Sequence, residues 1–222
     1  MANEVASKTG EKHIIAYSAS DKFRRTNTGL YDSDILCGSC DNHLGKNENY
    51  VIETMRKVRA QFPKHGTLAK SPIDDGNVFV RFAAGIAWKY SVAKPGFGRI
   101  NVGPYGDILA NVAFSDEAIP DSIDLAMIYM QAGVDEVFFY RTPLPDRQSG
   151  VNLIRFSVGS FLYLLKVDKR PNPPDPPSQV WLRNKSAVVF PVLPAHEFEE
   201  WTKPFGIRGR PQVRSYFDRF QK

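Results

Sequence analysis

The residue types best suited to chemistry gather in the first fifty positions of this 222-residue chain. Cys37 and Cys40 are its only cysteines. Their C-x-x-C spacing suits metal binding or redox chemistry better than the disulfide framework of a secreted protein. Asp41, Asn42 and His43 follow directly and offer donors of the kind a hard cation or zinc accepts, although their spacing alone does not indicate a site. Ahead of them His13 opens a short apolar run, and imidazole is the side chain that changes charge near neutral pH. A closed zinc knuckle wants four ligands, commonly two C-x-x-C pairs, and no cysteine lies ahead of His13. The pair could be completed by His43 and a distant side chain, by a second copy of the chain, or not at all. Plain buried thiols are the structural alternative, and a redox dithiol at a helix start is the third reading.

These residues need positioning elements, and the stretch Glu11 to Tyr50 supplies them in order. His13-Ile14-Ile15 reads as a short strand, a polar turn region follows, and Asp34-Ile35-Leu36 reads as a second strand ending in Cys37. Beyond the knuckle, Tyr50 to Phe62 places apolar residues at helical spacing among Arg56, Lys57 and Arg59. Strand, strand, helix is the implied unit.

That unit resembles the finger of HNH nucleases, which reads as an acidic residue, His-Ile-Ile-Pro, a variable loop, Asn-Leu-x-x-Leu-Cys-x-x-Cys-Asn and a basic helix. It is similar in particular to HNH-like proteins of bacteria and phages whose knuckle reads Ile-Leu-Cys-x-x-Cys-Asp. The motif covers residues 11–50, and Phe82 to Tyr90 and Val102-Gly103-Pro104-Tyr105 echo the same group more weakly. The resemblance implies a treble-clef or ββα finger with His13 as the general base. It also implies structural zinc on Cys37 and Cys40, catalytic magnesium or manganese near Asp41 or His43, and DNA as substrate. Three positions depart from the pattern. Lys12 stands where the acid is expected, with Glu11 one residue further off; Asp32 is nearest the central Asn; and Asp41 follows the second cysteine. The resemblance thus leads to two expectations: a divalent-metal-dependent DNA endonuclease of phage biology or bacterial defence, or a non-catalytic descendant. The descendant would bind nucleic acid or a protein partner, or self-associate.

Basic residues accompany the finger. Arg24 and Arg25 fall in its loop, and with Lys22, Lys46, Arg56, Lys57 and Arg59 they make the N-terminal third locally basic, as a phosphate-binding face or a solvated helix would be. The C-terminal GIRGRPQVRSYFDRFQK interleaves Arg208, Arg210, Arg214 and Arg219 with Tyr216, Phe217 and Phe220. Such a pattern suits stacking on nucleobases, but aromatics at these intervals more often dock a terminal helix. His65 and His196 have no comparable setting and read as surface residues.

The remainder sets the frame. A hydrophobic fraction of 42% against 24% charged residues is enough to bury a core without cross-links. A net charge of +5 and a pI near 9.1 permit acidic partners without demanding them. The N-terminus lacks an apolar signal core and no apolar run suffices to cross a bilayer, so a cytoplasmic protein with no membrane association is expected. Residues 74–93 and 104–114 read as helices, the first apolar on nearly every face with Phe79, Phe82 and Trp88 in the core. From 123 to 192 the texture turns to short strands: Ile123 to Met130, Val137 to Arg141, Leu153 to Val158, Phe161 to Val167, Val180 to Leu182 and Ala187 to Val192. Gly159-Ser160 marks the clearest hairpin, and Arg170 to Pro177 reads as a stiff loop between strands. Terminal helices are expected over 196–220. The fold class is therefore α+β: a finger and its helix over 1–62, then a body over 63–222 with a helical middle, an antiparallel β-rich part and terminal helices.

Overall fold

A computed structural model describes residues 14–17, 23–26, 32, 34–61, 66–71, 75–131, 140–200 and 202. The fold is α+β. Eight strands form one sheet in the order β2-β1-β5-β6-β7-β4-β8-β3. In chain order they are β1 (Ile14–Tyr17), β2 (Phe23–Thr26), β3 (Leu68–Lys70), β4 (Ile123–Gln131), β5 (Tyr140–Gln148), β6 (Val151–Val158), β7 (Phe161–Val167) and β8 (Val189–Pro194). Most neighbours run antiparallel; β1 beside β5 and β8 beside β4 are parallel. Three α-helices, α1 (Gly38–Gln61), α2 (Gly76–Val92) and α3 (Gly106–Phe114), and four short 3-10 turns complete the described elements.

The centre of the sheet is buried on both faces, which explains why β4 and β7 are apolar apart from Asp124, Gln131 and Lys166 and show no polar alternation. On β4, Ile123, Leu125, Met127 and Tyr129 pack into the main core with the helices. Ala126, Ile128 and Met130 face the other way, onto Val180, Trp181 and Ala195 from the connections around β8. The β6–β7 hairpin turns at Gly159-Ser160 with Val158 opposite Phe161, and Gly159 takes φ +57°, a conformation that favours glycine.

Helix α2 is the hub of the helical layer. Asp75 caps it by accepting from the Asn77 N–H at 3.0 Å, and Phe79, Val80, Phe82 and Ile86 are buried along it. Gly76 lies so close to the chain before β8 that a Cβ there would stand 2.1 Å from the Leu182 carbonyl oxygen. From mid-helix, Arg81 reaches α3 and donates to the carbonyls of Val112, Ser115 and Glu117, which satisfies acceptors that the end of a helix leaves open. Trp88 is half-buried and meets Phe114 of α3 edge-on at 5.0 Å.

Helix α1 lies against α2 and α3. Leu44, Val51, Met55 and Val58 form its buried stripe, and Leu44 reaches Gly85 of α2, where even a methyl group would lie 3.2 Å from it. The Tyr163 hydroxyl of β7 meets the Met55 sulfur at 3.1 Å and ties α1 to the sheet.

Several expectations need correction. The chain at Asp34-Ile35-Leu36 is a turn and not the second strand of the unit. The Asp32 carboxylate accepts the Asp34 N–H at 3.2 Å, an Asx turn that bends the backbone out of extended geometry. The second strand is β2, so Arg24 and Arg25 sit in a strand, opposite Ala16 and Ile15, and not in a loop. The helix expected from Tyr50 starts at Gly38, because burial of Leu44 between the helices carries the fold through its polar first turns. Val180 to Leu182 contributes a 3-10 turn and an isolated bridge from Trp181 to Ala126, not a full strand. Strand β5 extends to Gln148 despite Pro143 and Pro145, with its register shifting between Arg141 and Leu144 to accommodate the missing donor. Of the terminal helices, the 3-10 turn Ala195–Glu197 and helical residues 199, 200 and 202 are described; residues 203–222 lie outside the described part, as do His13, residues 62–65 and most of Val137 to Arg141.

Candidate functional site

The start of α1 holds the densest group of chemistry-bearing side chains. Cys37 is its N-cap, since its carbonyl accepts the first helical bond, from the Asp41 N–H at 3.0 Å. Its thiol is exposed, and its sulfur lies 3.1 Å from the Ser39 hydroxyl. Cys40, one turn on, is half-buried. The Ser39 hydroxyl first, then the Cys40 N–H and thiol, push the Cys37 thiol down to about 7. Cys40 is raised in turn, chiefly because its hydrogen bond to Cys37 holds its proton.

A short loop presents this pair and is itself fixed. Asp32, whose side chain is only 3% exposed, accepts from the Lys94 N–H at 3.1 Å, and the Lys94 ammonium lies 3.5 Å from the same carboxylate. These bonds, the Lys94 backbone bond foremost, hold the Asp32 carboxyl below its ordinary range. Asp34 pairs with the same ammonium, and Asp32 and Asp34 together raise Lys94. Asp32 is thus engaged in joining the loop to the end of α2.

The other donors diverge. Asp41 is exposed, whereas His43 is half-buried with its ring 6.2 Å from Phe114. Two residues apart on one helix, they project about 200° apart around its axis. They are not brought to a common point. Among the described residues no three His, Cys, Asp or Glu side chains cluster as a metal site would require. A closed zinc knuckle needs four ligands, and the described donors beside Cys37 and Cys40 do not complete such a set. The magnesium or manganese site expected from Asp41 and His43 likewise does not fit these two side chains alone. His13 directly precedes β1 and lies outside the described residues.

The basic residues have distinct settings. Lys46, Arg56 and Lys57 are exposed on the outer side of α1, opposite its buried stripe. Glu53 shares that side, so its positive excess is greatest in the last two turns, at Arg56 and Lys57. Arg59 is half-buried and its charge reaches the Tyr129 phenol, which burial above all holds raised. Arg24 and Arg25 lie on β2, at one edge of the sheet. His196 is exposed.

Two contributors are not singled out by motif spacing. Ser39 is signalled only by standing between two cysteines at a helix start, and Lys94, far along the chain, has no local signal. No helix among the described residues is long and apolar enough to cross a membrane. Compared with family models, with curated proteins and with solved structures, the chain matches none.

Proposed function

We propose that the chain is an HNH-like nucleic-acid-binding protein that meets the phosphate backbone with the outer face of α1. The observation that carries this reading is the division of α1 into two faces. Leu44, Val51, Met55 and Val58 are spent on the core, while Lys46, Arg56 and Lys57 are exposed on the other side. From Lys46 to Arg56 the helix rises about 15 Å, enough to reach several phosphates of one duplex. The overall charge of +5 acts in the same direction. Arg24 and Arg25 on the β2 edge strand are the second basic element of the reading. The test is a gel-shift titration of the intact protein with duplex DNA, repeated for Lys46→Ala/Arg56→Ala/Lys57→Ala. Binding that the triple variant loses supports the assignment; equal binding by both proteins sinks it.

A second reading, hydrolysis of the bound DNA, draws on one specific observation. The elements run in the order that such a finger would need: the antiparallel pair β1–β2 comes first, with His13 directly ahead of it in sequence, and Cys37 and Cys40 stand at the start of the following helix. In that reading His13 withdraws the proton from the attacking water. Nicking of supercoiled plasmid in magnesium or manganese buffer that His13→Ala abolishes would establish it. DNA binding without nicking leaves the non-catalytic reading.

A further inference from the structure

The two thiols at the start of α1 are arranged unequally. Cys37 is exposed and stands at the N-cap, where the positive end of a 24-residue helix favours a thiolate. The Ser39 hydroxyl lies 3.1 Å from its sulfur and can donate to that thiolate. Cys40 sits behind it, three residues on in the first turn of the helix, and is half-buried. One thiol is poised to attack and the other is shielded, positioned to attack the first. The Asp32, Asp34 and Lys94 contacts fix the loop leading into Cys37, so this arrangement needs no ordering step. The described donors meanwhile do not complete a zinc site around the pair.

We propose that Cys37 and Cys40 form a redox dithiol that reduces low-molecular-weight disulfides. The Cys37 thiolate attacks one sulfur of the disulfide R–S–S–R, forming a protein–S–S–R mixed disulfide and expelling RS⁻, which takes up a proton. The Cys40 thiol, losing its proton to solvent, then attacks the Cys37 sulfur and expels the second RS⁻. The protein is left with a Cys37–Cys40 disulfide and two RSH are released, so the dithiol is oxidised by two electrons and the disulfide reduced by two. Side chains three apart at a helix start have Cβ atoms about 5–6 Å apart, a small adjustment from the separation a disulfide needs. The exposure of Cys37 suits a small disulfide, which needs no docking surface.

The experiment uses the full-length protein and oxidised glutathione. In glutathione buffers of graded ratio, intact-mass analysis should show loss of two hydrogens with no glutathione adduct. Cys40→Ser should instead accumulate a glutathione adduct at Cys37, and Cys37→Ser should form neither species readily. Iodoacetamide labelling of Cys37 in the reduced wild type should rise with a midpoint near pH 7. At that pH it should exceed an unstructured thiol about three-fold, since a roughly sixteen-fold gain in thiolate is partly offset by lower nucleophilicity. Three results would overturn the proposal: no Cys37–Cys40 disulfide across the glutathione range, a labelling midpoint at the ordinary thiol value, or one zinc per purified chain with thiols that label only after chelation. This test is independent of DNA binding.

Discussion

Glu200 offers the sharpest energetic test of the structure. Its carboxylate is fully buried on the sheet face away from the helices, where it accepts from Arg141 Nη1 at 2.6 Å and from Arg155 Nε and Nη2 at 2.7 and 2.5 Å. The Arg141 side chain is 10% exposed and that of Arg155 23% exposed. Burial works against the Arg155 charge, yet the Glu200 hydrogen bonds and charge hold its pKa raised. Glu200→Gln keeps the shape and removes the charge, leaving two shielded guanidiniums with Glu199 at 3.5 Å from Arg141 and the charge of Asp146 near Arg155. Breaking one side of a buried ion network costs about 3–5 kcal/mol. For a chain of this size each kcal/mol moves the midpoint by about 2–4 °C, so thermal unfolding should fall by about 6–20 °C. Glu199→Gln is the control, because a half-exposed carboxylate at 3.5 Å contributes at most about 1 kcal/mol. Circular dichroism melts of the three proteins decide the matter. If Glu200→Gln melts with the wild type, or Glu199→Gln loses as much as Glu200→Gln, the assignment of the network is wrong.

Further outcomes follow from other contacts. Gly76→Ala should destabilise the protein by about 1–3 kcal/mol or more in urea titration, because the new methyl would be driven into the Leu182 carbonyl, a backbone atom that cannot swing aside. An unchanged midpoint would mean that the α2 start does not approach that strand connection so closely. Asp32 and Asp168 both have pKa values held below the ordinary carboxyl range, Asp32 first by the Lys94 N–H and Asp168 first by the Arg170 N–H. Their stabilisation is complete above the unfolded carboxyl value near 4 and is lost as pH falls through the lower folded values. Asp32→Asn/Asp168→Asn should therefore flatten the acid limb of the stability profile, and an unaltered slope below about pH 4 would refute this.

What was legible in the sequence had local signals. Helix α2 announced itself by its apolar run and its acidic start, and Asp75 does cap it. The β6–β7 hairpin was marked by Gly159-Ser160 between two apolar arms, and the Arg170 to Pro177 segment is a loop as its prolines suggested. What was not legible depends on distant partners. Strand β3 is three residues whose pairing comes wholly from β8. The first turns of α1 are polar except for Leu44, and Gly85, from another helix, makes room for that side chain. Asp34-Ile35-Leu36 has strand-like composition, but Asp32 and Lys94 turn it into a fixed loop. At the candidate site, spacing identified the cysteine pair. It did not reveal that Asp41 and His43 diverge, because that follows from both lying on one continuous helix.

The central claim, phosphate binding by the outer face of α1, is tested most directly by the salt dependence of duplex DNA binding. Fluorescence anisotropy would give the association constant of the wild type and of Lys46→Ala/Arg56→Ala/Lys57→Ala from low to physiological salt. Each phosphate contact releases condensed counterions and steepens the slope of log K against log salt by about 0.9, so losing three contacts should make it shallower by about 2–3. Slopes that coincide, or wild-type binding that is absent or indifferent to salt, would contradict the account.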